Sequence, residues 1–226
     1  MTLFEPVFRA LDQAGVRYVV VGGVAVVLHG HARLTADLDL AVDLNPEPAR
    51  TAIEALVGLG LRPTVPVDPA MFADAETRDR WVSERNMRVF SMRHLDDPLN
   101  QVDLFVDEPI PFEELWGRSI EVALENLRVR IASIPDLITM KELAGRRLDE
   151  GGHRRATTDP RGGISMKRAS DRVADEDDAR EARQRERIRV VLAGTTPAER
   201  LAWLEAAIAF AARAGALPRP DPSPRG

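Results

Sequence analysis

Asp37 and Asp39 stand two residues apart in the stretch Asp37–Asp43, where Leu38, Leu40 and Val42 alternate strictly with Asp37, Asp39, Ala41 and Asp43. Alternation of this kind describes a half-buried strand, so the two carboxylates leave one face roughly 6–7 Å apart along the backbone. Like charges held that close need something positive between them, and a hard divalent ion with oxygen ligands, Mg²⁺ above all, is the usual answer. Asp103, centred in the apolar run Val102-Asp103-Leu104-Phe105, is the candidate third acid. Upstream, Val19-Val20-Val21-Gly22-Gly23 delivers a strand into a helix start through two residues without side chains, where backbone amides can approach a phosphate. Gly22 and Gly23 are therefore candidate phosphate-binding positions, and thirteen residues lead from Gly23 to Asp37.

Arg33 and Thr35 lie in the loop before the first carboxylate, where a guanidinium could clamp a phosphate and a hydroxyl could donate to one. Lys141, on a later apolar helix, is a further candidate for phosphate charge. Each signal has a plainer explanation alone: the solvent face of a strand, a glycine turn, an edge acid, a solvated arginine or lysine. Their order and spacing together point to a metal-and-phosphate site. His29 reads instead as a packed helix-end residue, and Trp81, Trp116 and Trp203 as packing residues.

The elements that must position these groups follow from periodicity and punctuation. Leu3–Ala14 has helical spacing and is stopped by Gly15; Arg17–Val21 is a β-branched strand; Val24–His29 is a short apolar helix starting on the glycines. Pro46 and Pro48 open a helix to Leu59, and a second helix surrounds Met71–Ser83. Met87–Met92 and Gln101–Val106 read as strands divided by the Asp96-Asp97-Pro98 turn; Val129–Ala132 is a last strand before a helix from Pro135 through Lys141. Strands alternating with helices, with one close strand pair, predict an α/β (α+β) fold: a mixed β-sheet flanked by helices.

Texture changes beyond Gly145. Residues 1–145 form the expected principal domain; 146–168, with seven basic residues against three acids and two glycine pairs, is a flexible basic excursion. Residues 169–216 form a helical C-terminal region, in which Thr196-Pro197-Ala198-Glu199 carries a capping-box signature, and 217–226 is a Pro-rich disordered tail. Ile138-Thr139-Met140-Lys141 is echoed 26 residues later by Ile164-Ser165-Met166-Lys167, through chance similarity of two charged helices or a local duplication. The basic excursion could contact an RNA backbone, though it lacks aromatic residues for stacking.

Composition bounds the function. Among 226 residues, 31 Lys and Arg oppose 36 Asp and Glu for a net charge of −5, so no overall positive field draws the chain to nucleic acid or anionic membrane. With no cysteine there is no thiolate metal site, disulfide or Cys nucleophile, and four scattered histidines make a His-built zinc site improbable. The longest apolar run, Tyr18 to Leu28, is too short for a bilayer. A cytoplasmic protein without membrane contact is expected.

These residues resemble the DNA polymerase β-like nucleotidyltransferase superfamily, whose pattern is an apolar strand, Gly-Gly or Gly-Ser, a short spacer, Asp-x-Asp flanked by apolar residues, and a third acid on a later strand. Gly22-Gly23-Val24-Ala25, Leu28-His29-Gly30, Arg33, Thr35 and Asp37-Leu38-Asp39-Leu40 are similar to the bacterial minimal nucleotidyltransferases grouped with AbiEii-type toxins of toxin–antitoxin systems, and Leu137–Lys141 to that group's later Met-Lys helix. The resemblance covers residues 1–145. It implies a polymerase β-like fold with a helical C-terminal extension and two-metal transfer of a nucleoside monophosphate from NTP to a hydroxyl, with Asp37, Asp39 and Asp103 as catalytic residues and ligands of two Mg²⁺ ions, Mn²⁺ being a possible substitute. Ligation and general-base work are both open to Asp103. The acceptor is expected to be tRNA or another RNA, with a protein hydroxyl as second candidate and a cognate antitoxin protein as possible partner. The alternative from another class is a non-catalytic antitoxin-like or nucleotide-binding partner that retains the fold. Beyond residue 145 the chain departs from the pattern: Gly152 stands where a second acid belongs, while Arg172, Asp175 and Asp178 match after Lys167. The short link to the preceding strand favours Lys141 over Lys167 beside the site.

Overall fold

The computed structural model describes residues 3–31, 34–94, 101–152 and 194–213, without the side chains of 145–152, 211 and 212. The chain runs α1 (Glu5–Gln13), β1 (Tyr18–Val20), α2 (Gly22–Leu28), β2 (Asp37–Val42), α3 (Pro46–Gly58), β3 (Leu61–Pro63), a 3₁₀ turn (Pro69–Ala73), α4 (Ala75–Arg85), β4 (Val89–His94), β5 (Gln101–Phe105), α5 (Phe112–Arg118), β6 (Ile120–Ala123), β7 (Arg128–Ile131), α6 (Ile134–Gly152) and α7 (Pro197–Arg213). The strands form one seven-stranded mixed sheet in the order β3-β4-β5-β2-β1-β7-β6. The β1–β2 pair is antiparallel, whereas β2–β5 and β1–β7 are parallel. The α/β class and the mixed sheet flanked by helices are as expected.

Alternation divides the sheet into two faces. Tyr18, Val20, Leu38, Leu40, Val42, Phe90, Met92, Val102 and Leu104 point into the larger core with α1, α2, α3, α4 and α7. On the opposite face Val19 and Val21 join Ala132 and the α5 residues Phe112 and Leu115, with Ala41, Phe105, Leu137 and Met140 packed around them. The carboxylates of Asp37, Asp39 and Asp103 leave the sheet on this second, thinner side.

Three elements exceed the sequence reading: β3, α5 and β6. Each is too short to show a period, and the edge strand β6 is largely exposed, without buried alternation. Helix α6 continues from Ile134 through residue 145 to Gly152, and the rest of the expected excursion, 153–168, lies outside the described residues. So do Lys167 with the charged helix expected around it, and the tail from 217.

The C-terminal helix is tied to the start of the fold. Thr196 and Glu199 form the expected reciprocal cap: Thr196 N–H donates to Glu199 Oε2 at 2.7 Å and Glu199 N–H to Thr196 Oγ1 at 3.3 Å. Leu201, Leu204 and Ile208 then enter the main core. Arg200 Nη1 donates to Leu28 O at the end of α2 at 2.8 Å, and Arg200 Nε to Thr195 Oγ1 at 3.2 Å. The last carbonyls of a helix lack intrahelical donors, and Arg200 supplies one across 172 positions. His29, at the same helix end, bonds Ala132 O through Nε2 at 2.8 Å, which accounts for it as a packing residue.

Candidate active site

The site is assembled by register. Strand β2 pairs with β5 so that Asp39 lies opposite Asp103, with Asp37 opposite Gln101. Directly opposed residues of neighbouring strands share a face, so Asp39 and Asp103 project together and Asp37 stands one pleat along. The helix-containing crossover between β2 and β5 makes the parallel pairing possible.

Each carboxylate is held differently. Asp103 is 8% exposed, and Gln101 Nε2 donates to its Oδ1 at 3.1 Å. Burial pushes its pKa up, against hydrogen bonds from Ser91 and Gln101 that pull the other way. Asp37 is half-buried, and its pKa is raised by that burial first and then by the charge of Asp103. The charge of Asp103 therefore opposes ionisation of Asp37, and neither has an ion-pair partner among the described residues.

Asp39 is positioned by Gly22. The glycine has φ +59°, and a Cβ added there would lie 2.6 Å from Asp39 Cγ and 3.0 Å from Asp39 Cβ, so the missing side chain is the room that the Asp39 carboxylate occupies. Gly23 does the same for Thr35, whose Cβ would sit 2.6 Å from an added methyl group. Gly22 and Gly23 thus press the start of α2 against the carboxylate strand and the loop before it. Asp39 O also accepts from Val21 N–H at 3.0 Å, fixing the turn from the strand side.

Of the remaining candidates, Arg33 lies outside the described residues. Lys141 is exposed on α6, beside Met140, which packs on the carboxylate face of the sheet; no hydrogen bond or ion pair joins Lys141 to the acids among the described residues. The sequence reading did not include Gln101 and Ser91, which orient Asp103. The signal was present for Gln101, two residues before Asp103 and so on its face; Ser91 needed the β4–β5 register, which sets it opposite Asp103.

Asp43, the residue that follows β2, is a structural residue. It is 7% exposed; Arg17 Nη2 donates to Oδ2 at 2.7 Å, and the Asn45 backbone and side-chain amides donate to Oδ1 at 3.0 and 2.9 Å. Burial disfavours its charge, but these hydrogen bonds together outweigh it and hold the carboxyl below the usual range. Arg17 also pairs with Glu113 and lies over the rings of Phe112 and Trp116, joining β2 to α5.

Among the described residues no three acidic or histidine side chains are drawn close enough to form a finished metal cage. The donor chemistry nevertheless fits a hard divalent ion: three carboxylates from adjacent parallel strands, two of them raised in pKa by burial. No helix among the described residues is long and apolar enough to cross a membrane. No protein-family model and no curated protein matches this chain.

Proposed function

We propose that the chain is a metal-dependent nucleotidyltransferase that moves a nucleoside monophosphate from an NTP to a hydroxyl, with RNA as the first acceptor and a protein hydroxyl as the second. The cytoplasm, where NTPs are made and used, is its place of action, and a toxin role with an antitoxin partner is the biological setting we favour. The observation that carries this reading is the register of Asp39 with Asp103 beside Asp37, on a face where neither Asp37 nor Asp103 has an ion-pair partner among the described residues. A buried carboxylate set beside a half-buried one costs stability, and a ligand that neutralises them is the simplest reason to keep them.

In this reading Asp37, Asp39 and Asp103 would hold Mg²⁺. Such an ion would supply positive charge against the phosphates and would make an acceptor hydroxyl more acidic. The Gly22–Gly23 turn offers the first amides of α2, which lack intrahelical acceptors, to a phosphate; since Asp39 fills the space beside Gly22, a phosphate there needs a cation to offset the carboxylate. The acceptor oxygen forms a bond to the α-phosphorus while the bond from that phosphorus to the bridging oxygen breaks. Pyrophosphate leaves, and the hydroxyl proton would pass to Asp103. Thr35 and Lys141 would meet phosphate charge from the loop and from α6, and Arg33 from the same loop as Thr35.

The test is incubation of the full chain with each labelled NTP, Mg²⁺ and total RNA or cell protein, recording what becomes labelled. Label on RNA or protein that vanishes in Asp39→Asn and Asp103→Asn is expected, with Asp103→Asn keeping NTP affinity. No labelled product, together with NTP affinity indifferent to EDTA and to Asp39→Asn, leaves the non-catalytic partner as the answer.

A further inference from the structure

A cavity of about 210 Å³ opens on the carboxylate face of the sheet, between the end of β5 and helix α6. Its apolar lining is Phe105 from the sheet with Met140 and Leu143 from the helix; its polar rim is Asn86, Arg88 and Asp107. Phe105 follows Asp103 by two residues on the same strand, so the cavity begins one pleat, roughly 7 Å, beyond that carboxylate. Across the sheet the order is β1 with the Gly22 turn, β2 with Asp37 and Asp39, β5 with Asp103, then β4 leading from Arg88. The cavity is thus on the far side of the acids from the glycine turn.

We propose that this cavity is a nucleobase subsite, an inference that rests on the nucleotidyl-transfer reading. Its volume falls below the ~300–1,000 Å³ of clefts that take whole drug-sized ligands, so it admits one ring system and not an entire nucleotide. A nucleobase has apolar faces and a polar edge, and the cavity has the same division: an aromatic ring and two apolar side chains for the faces, donors and acceptors at the mouth for the edge. The rim is pre-arranged. Asn86 closes α4 in a left-handed conformation at φ +50°, and its Oδ1 accepts from Arg88 Nη2 at 2.7 Å, while Asp107 holds the other side of the same guanidinium at 3.8 Å. One pleat between Asp103 and Phe105 is about the span of the ribose that separates a reacting oxygen or phosphate from its base. The base can come from the NTP or from the terminal nucleotide of an RNA acceptor, and both present the same ring.

The experiment uses the full chain with Mg²⁺ and three probes: 2-aminopurine ribonucleoside triphosphate, an oligoribonucleotide ending in 2-aminopurine, and inorganic triphosphate, which has no base. Leu143→Trp fills the cavity from the helix, and Arg88→Gln alters the rim at a partly exposed position that does not depend on repacking. Stacking on Phe105 should quench a fluorescent probe in the wild type, and both variants should weaken that probe's binding about ten-fold or more while inorganic triphosphate binds them as it does the wild type. Quenching of the triphosphate probe assigns the pocket to the NTP base, and quenching of the oligonucleotide alone to the acceptor base. Wild-type affinity for both fluorescent probes in both variants, or the absence of quenching in the wild type, overturns the subsite. Failure of inorganic triphosphate to bind the wild type overturns the catalytic reading instead and takes the subsite with it.

Discussion

Gly22→Ala probes the contact that sets Asp39. At φ +59° an alanine pays about 1–2 kcal/mol for its left-handed conformation. Its methyl group would also meet Asp39 Cγ at 2.6 Å where ordinary contact begins at 3.4 Å, so the carboxylate must swing aside by about 1 Å. An off-rotamer side chain costs about 0.5–1.5 kcal/mol, which brings the expected loss of stability to about 2–3 kcal/mol. Displacement of a catalytic group by about 1 Å can cost 100-fold in rate, so on the proposed function transfer should fall by about that factor in a protein that still folds. Urea denaturation of wild type, Gly22→Ala, Asp39→Ala and the double variant separates the two terms. In the Asp39→Ala background the overlap with Cγ is gone and the cost of Gly22→Ala should shrink by about 1 kcal/mol. Equal costs in both backgrounds, within about 0.5 kcal/mol, would refute the packing of Asp39 into the space of Gly22.

Asp43→Asn should cost about 1–2 kcal/mol at pH 7. Because the native pKa of Asp43 is lowered, this stability is present above the unfolded pKa, near 3.8, and is lost as pH falls from there through the native value, so wild type and variant should converge in acid denaturation only below that native value. Asp103→Asn in EDTA should raise the denaturation midpoint at pH 7, since it removes a charge that burial disfavours and that opposes ionisation of Asp37; a clear loss of stability would mean that Gln101 and Ser91 over-compensate the burial. Arg200→Ala strips the donor from Leu28 O, and a loss of about 1–2 kcal/mol is expected, with faster hydrogen exchange in α7 than in α3; unchanged exchange in α7 would count against Arg200 as its tether.

Strong local signals in the sequence survived into the structure. Alternation from Leu38 to Val42 gave β2 and the face of its aspartates, and the Thr196–Glu199 spacing gave the start of α7, because each rests on groups within a few residues of one another. Register did not. Nothing in Gln101–Phe105 says that Asp103 will stand opposite Asp39 and Ser91; that depends on a crossover through α3, β3, α4 and β4 whose geometry is tertiary. The glycines illustrate the same limit. Gly22-Gly23 is recognisable as a turn without side chains, but the groups filling that space, Asp39 and Thr35, are supplied by another strand and its leading loop.

Strand β2 carries its own control for the functional reading. Asp37 and Asp39 share one face of β2 and Asp43 directly follows the strand; in the sequence all three alternate with the same leucines and valine within six positions, so composition and periodicity treat them alike. At the Asp43 end the fold brings Arg17 and two Asn45 amides to the carboxylate, and its pKa falls. At the other end it brings a second strand with another acid, and the pKa of Asp37 rises. A strand face that merely tolerated carboxylates for solubility would leave them in water at neither cost nor gain, whereas this one buries Asp103 and sets it against Asp37. The pairing of Asp43 with Arg17 shows that the fold can neutralise a carboxylate at the end of this strand with a cation of its own. Among the described residues no ion pair does so for Asp37 and Asp103, and that contrast with Asp43 is what the proposed metal site accounts for.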